Sequence, residues 1–277
     1  MDYYKQVIPI LDYDTPAGRD LAHPRGVGYG LTPRDYSVDP PTMFDPPSSM
    51  PLIPESEWDA RYDEEEKTES SLEHVYLRGG KPAFINLDQD GHGYCWAYST
   101  GTAIMLLRLS MNQPLVRINP HATAAIIKRG ADEGGWCGLS AKFAREHGYA
   151  IEGTGPGEWP LHSRDLRYDT PALRAAMALH KVTEEWVDLA RDVYDVELSK
   201  QQYATALMSR FPCPSDYNHW SHSVCALRWV RIERGDWGEL ILNSWKDWGR
   251  FGLAVMRGSK SVPNSMLALR SVPGSEK

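Results

Sequence analysis

Cys95, His222 and Asn243 are the residues of this sequence whose types and surroundings could supply a nucleophile, a base and a group that orients the base. A cysteine is nucleophilic as its thiolate, so a free-thiol pKa of about 8.5 has to be lowered by a helix N-terminus or a nearby cation. Cys95 opens a predicted helix just after Asp90-Gly91-His92-Gly93, a loop whose glycines let the backbone approach a carbonyl closely and present N–H groups. Gln89, shortly before it, offers a side-chain donor. His222 stands at the entry to the predicted strand HSVCALRWV, where an imidazole can act as general base. Asn243 follows the apolar run ELIL and can accept the imidazole N–H, fixing its tautomer, while Trp245 shields that bond from water. Each residue alone reads more simply as structure: a small core cysteine, a satisfied histidine at a strand end, a polar turn.

Those three positions need one long helix and a sheet to hold them. From Cys95 to Leu109, apolar and small residues recur at helical spacing with few charges on any face, which predicts a buried central helix. Further helices are expected in HATAAIIKRGA after Pro120, in LSAKFAREHG with its glycine stop, in TPALRAAMALH, and in SKQQYATALMSR with Ser199 as N-cap. After about Arg210 the pattern turns to β-branched and aromatic alternation in SHSVCALRWVRIE, GELILNSW and FGLAVMR, separated by glycine and aspartate turns. Helices first and strands afterwards predict an α+β chain of two lobes with a cleft between them.

The first part of the chain has a different character. Ten of the twenty prolines fall within the first 54 residues, where they block helix and remove ladder donors. Residues 1–55 therefore read as an extended arm, which Tyr3, Tyr4, Val7, Ile8, Ile10 and Leu11 could anchor on a neighbouring surface. Residues 56–80 read as a charged linker or short helix, and 81–277 as the compact domain. A net charge of -7 without a basic stripe argues against nucleic acid as a partner. No apolar run approaches the length of a membrane crossing, and the start MDYYKQVIPILDYD does not read as a secretory signal. Four cysteines are too few for a disulfide scaffold and match no zinc-ribbon spacing, so reduced thiols are expected.

The segments QDGHGYCWAYS, HSV and NSWKDWG, in that order, resemble the nucleophile, histidine and asparagine motifs of the papain family of cysteine peptidases. The resemblance spans about residues 80–260. It implies a papain-like two-lobe fold, with a helical lobe, an antiparallel β-barrel lobe and the active-site cleft between them. It also implies thiol-dependent cleavage of a peptide or protein substrate without cofactor or metal, with Cys95, His222 and Asn243 catalytic and Gln89 beside the Cys95 N–H in the oxyanion hole. Gly134-Gly135 is similar to the paired glycines with which that family meets an extended peptide, and Trp245 would border the same substrate-binding region.

This sequence departs from the family in several places. The cysteine that secreted members carry three residues before the nucleophile is His92 here, and its usual partner position is Asp132, which fits a reducing compartment. No helical inhibitory propeptide is visible in the proline-rich residues 1–80. A metal site from His219, His222 and Cys225 is disfavoured, because i and i+3 on a strand face opposite ways. The wider pattern, including IPESEWDARY, EEWVDLA, NHWSHSV and VMRGSK, resembles papain-like proteins encoded among bacteriophage virion genes. That implies a place in the virion or the bacterial host cytoplasm, with phage structural proteins as partners of the N-terminal arm. It also opens an alternative role as a structural component whose site is latent or inactive.

Overall fold

The computed structural model describes residues 8–24, 29–181, 185–189, 196–233 and 235–270. Tyr3, Tyr4 and Val7, expected as anchors, lie outside the described residues. The helices are α1 (Pro16–Ala22), α2 (Trp58–Thr68), α3 (Leu72–Tyr76), α4 (Cys95–Ser110), α5 (Pro120–Ile127), α6 (Cys137–His147), α7 (Pro171–Leu179) and α8 (Val196–Met208). The strands are β1 (Ile10–Asp12), β2 (Glu185–Asp188), β3 (Cys213–Tyr217), β4 (His222–Glu233), β5 (Asp236–Leu242), β6 (Leu253–Arg257) and β7 (Ser265–Arg270).

Local chemistry sets several helix ends. Asn119 and Thr170 accept the N–H groups of Ala122 and Leu173, and a proline follows each at the first helical position, where its missing donor costs nothing. Gly148, with φ of +81°, ends α6 in a conformation that a side chain would disfavour. Ser199 does not cap α8: the helix already runs from Val196, and Glu197 in its first turn suits the positive end of the helix dipole.

The seven strands form one sheet in the order β1-β6-β5-β4-β3-β7-β2. Every pairing is antiparallel except β1 with β6. Helix α4 packs across β4 and β3, and its residues from Cys95 to Leu107 are buried, as an all-round apolar helix requires. One large core lies between this helix and the sheet; a second lies on the other side of the sheet, where α8 and Trp58 cover Val224, Ala226 and Ile241. Helices α5 to α7 complete a helical lobe around Trp159, Leu173 and Met177.

The charged stretch before the domain folds into α2 and α3. Trp58 packs edge-on against Trp229 and Trp237, and buried Arg228 of β4 holds Glu65 at 3.0 Å and Glu73 at 2.8 Å. The described parts of the proline-rich arm have no separate core and pack into the cores of the domain, with Ile8 and Phe44 in one and Leu11, Ala22, Met50 and Ile53 in the other. β1 pairs with β6, Leu31 bridges to Gly135, Asp45 bridges to Val187, and the Ile53 N–H reaches Thr205 Oγ1 at 3.0 Å.

Candidate active site

Cys95 begins α4 and is fully buried. Its thiol faces the backbone N–H groups of Ser223, Gly30 and Trp96, which would stabilise a thiolate. Burial outweighs them and pushes the thiol up to about 12.

His222 begins β4, opposite Tyr217 of β3. Register brings it to its partners: Cys225 lies opposite Leu242, so three steps back along β4 and three steps beyond β5 set His222 beside Trp245. Its Nε2 is 2.7 Å from Asn243 Oδ1, and the Trp245 ring stacks on the imidazole with centroids 4.1 Å apart and an interplanar angle of 24°. Trp220 meets the imidazole edge-on at 4.8 Å, and Trp248 completes the aromatic wall beside Trp245 and Trp220. His222 Nδ1 has no hydrogen-bond partner among the described residues. Burial pulls the imidazole down to about 3, with the Asn243 bond opposing that shift.

Gln89 lies against the same end of the sheet. Its backbone N–H donates to Ser244 O at 3.0 Å, and its Oε1 accepts from Ser244 Oγ at 2.8 Å. The Nε2 donor turns to the His92 carbonyl at 2.6 Å. The nucleophile's loop is tied to the loop before the paired glycines by Asp132, which accepts from Gly93 N–H and pairs with His92 Nδ1, both at 2.8 Å. A polar tether, with no disulfide, joins these two loops.

Gly134 and Gly135 meet the N-terminal arm. Residues Tyr29–Arg34 cross the cleft as a strap: Gly135 N–H donates to Gly30 O, Thr32 N–H to Gly135 O, and Leu31 N–H to Ser221 O, at 2.9, 2.9 and 3.2 Å. Glycine is required on both sides of this contact. A Cβ on Gly30 would lie 1.9 Å from the Gly93 oxygen, and one on Gly135 would strike the Trp96 ring at 2.7 Å. Tyr29 sits edge-on to Trp245 at 5.4 Å, while the Trp220 and Trp248 indoles donate to the last carbonyls of α1, at Ala22 and Leu21. The strap thus lies over the thiol and imidazole, and anchors the segment before it on the aromatic wall.

Sequence reasoning missed the strap and its anchors. Its one local signal was the glycine-tyrosine-glycine in GVGYG ahead of Pro33, which marks close backbone approach but gives no indication of what is approached.

No protein-family model and no curated protein sequence matches the chain. Among solved structures it is similar to xylellain, a cysteine protease from Xylella fastidiosa, at a TM-score of 0.56 and 16% identity, with 89% of this chain and 96% of that one covered. It is also similar to procathepsin L 3 of the Tenebrio molitor larval midgut, at 0.52 and 14% over 76% and 86% of the two chains. Procathepsin B S9 from Trypanosoma congolense gives 0.52 and 16% over 92% and 89%. The fold is papain-like. Cys95 stands at the start of the central helix and His222 at the start of a sheet strand that this helix packs against. Among the described residues, no group of three His, Cys, Asp or Glu side chains is placed to hold a metal ion.

Proposed function

We propose that this protein is a cysteine peptidase held in a covered state, with Cys95 as nucleophile, His222 as general base, Asn243 as the group that orients it, and Gln89 with the Cys95 N–H at the oxyanion. The observation that carries this reading is the His222 imidazole, fixed through Nε2 by Asn243 and stacked under Trp245, with Nδ1 left unbonded next to the residue whose N–H faces the Cys95 thiol. Such an imidazole can take the thiol proton. The thiolate then attacks the scissile carbonyl, His222 returns the proton to the leaving amine, and water, deprotonated by the same imidazole, releases the acyl group from sulfur.

In the covered state the pair is switched off by its surroundings. Burial favours the neutral form of both groups, so neither thiolate nor imidazolium is populated near neutral pH. Withdrawal of the strap admits water and removes most of that penalty. A second reading, a structural component of a phage particle that keeps the fold with a silent site, draws support from the same burial of Cys95.

Thiol labelling separates the two. In the chain with the strap displaced, Cys95 should react with a small alkylating agent at mildly acidic pH far faster than Cys137, Cys213 or Cys225, all of which are buried. Cys95→Ala should abolish proteolysis of a denatured protein substrate. Equal, slow labelling of all four thiols would favour the silent site.

A further inference from the structure

The strap is held at its far end by a side chain seated in a pocket of the domain. Arg34 lies three residues beyond Leu31, the residue that bridges to Gly135. Its guanidinium stands 4.3 Å from the Trp136 ring centroid and pairs with Asp188 Oδ2 at 2.8 Å, with both side chains 1% exposed. A second buried carboxylate, Asp216, sits behind this pair and feels the Arg34 charge; its Oδ2 accepts the Cys137 N–H at 3.1 Å. The fit is incomplete. Arg34 Nη1 is left without a hydrogen-bond partner among the described residues, while Asp216 is held by Cys137 and by the Ser223 side chain. Trp136, Asp188 and Asp216 belong to α6's N-cap, β2 and β3 and remain when the strap leaves, whereas the Tyr36 ring, 4.6 Å from the guanidinium, and the Asp39 carbonyl, which accepts from Arg34 Nε at 2.9 Å, belong to the arm itself.

A planar cation on an aromatic face with two buried carboxylates matches the chemistry of arginine. Two buried acids with no cation between them would be costly, so this pocket calls for a positive occupant. We propose that Trp136, Asp188 and Asp216 form a subsite of the cleft for a basic side chain, so that a cleaved peptide carries arginine three residues from the one paired with Gly135. Arg34 is the stand-in for that side chain in the covered chain. This inference rests on the peptidase reading above.

The test uses the full chain with Gly30→Val, which the 1.9 Å approach to Gly93 makes incompatible with the seated strap. A fluorogenic peptide library, varied one position at a time, should show one position that selects arginine over leucine and glutamate by roughly tenfold or more, the scale of one such contact. Asp188→Asn combined with Asp216→Asn should remove that selection while other positions keep theirs. Independently of whether that pair of substitutions folds, a synthetic peptide of residues 29–39 should inhibit at least about tenfold better than the same peptide with Arg34→Leu. Cleavage without a basic preference, a preference that survives both substitutions, or equal inhibition by the two peptides would overturn the subsite and leave the peptidase reading standing. No cleavage of any library member would overturn the peptidase reading and the subsite with it.

Discussion

The two walls of the cleft are built by different physics. The sheet wall holds His222 in a stack of indoles, with Trp245 face-on, Trp220 edge-on and Asn243 bonded to Nε2, all buried. The helical wall carries Cys95 at the start of α4, with the Trp96 N–H beside the thiol and a partly exposed polar tether, Asp132 to His92 and Gly93, in the preceding loop. Packed aromatics fix geometry through area and shape, which water weakens little. A charged hydrogen bond near the surface is screened and adjustable. The strap bridges the two walls by pairing with Gly135 on one side and Ser221 on the other.

The strap is the strongest place to break this balance. Gly30→Val should expel it and raise the Cys95 alkylation rate by roughly 10³-fold near neutral pH, because the thiol falls back from about 12 toward its ordinary range. Mass spectrometry of timed labelling reads this directly; a rate unchanged from the parent chain would mean that Gly30 does not govern access.

On the sheet wall, Trp245→Ala should cost about 3 kcal/mol of stability, the low end for truncating a large buried aromatic, read as a lower urea midpoint. Asn243→Ala in the strap-free chain should lower kcat by roughly 10²-fold with little change in KM, since the imidazole loses its orienting partner and the substrate loses no contact. A drop confined to KM would place Asn243 outside the machinery.

The helical wall should give way more gently. Asp132→Ala removes the bonds to Gly93 and His92 but, at a third exposed, should cost only about 1 kcal/mol. A loss as large as that of Trp245→Ala would erase the contrast between the walls.

Acid stability follows from the buried histidines. Burial holds His121 and His222 down to about 3 and His219 to about 4, so all three are neutral in the fold. Their unfolded forms take up a proton near pH 6.5, so their contribution is complete above that pH and is lost as pH falls from 6.5 toward 3. Asp216, raised to about 6 by burial, acts the opposite way: it contributes at low pH and loses that contribution as pH rises from about 4 to 6. The urea midpoint should decline from pH 7 to 4.5, and His121→Phe should flatten the decline; an unchanged slope would remove the helical wall's histidine from the account.

Several parts of this architecture were legible beforehand. The apolar run after Cys95 predicted α4 because a helix buried on all sides has nowhere to place charges. The alternation in HSVCALRWV and ELIL predicted β4 and β5, and their antiparallel register is what sets Asn243 and Trp245 beside His222. β1, β2 and β7 were not legible: three to six residues carry too little periodicity to stand out, and β1 gains its partner only by pairing with β6 far along the chain.

The sequence by itself determined the order and spacing of Cys95, His222 and Asn243, the helix and strands that carry them, and the histidine and aspartate at positions 92 and 132, because each is a matter of residue type and local pattern. What covers the thiol was decided only in three dimensions. Proline keeps residues 29–34 extended without specifying a partner, and the contacts that seat them are backbone bonds to Gly135 and Ser221, the glycine at position 30, and the Arg34 pocket. Such contacts depend on distance across the fold, and residue spacing along the chain does not encode it.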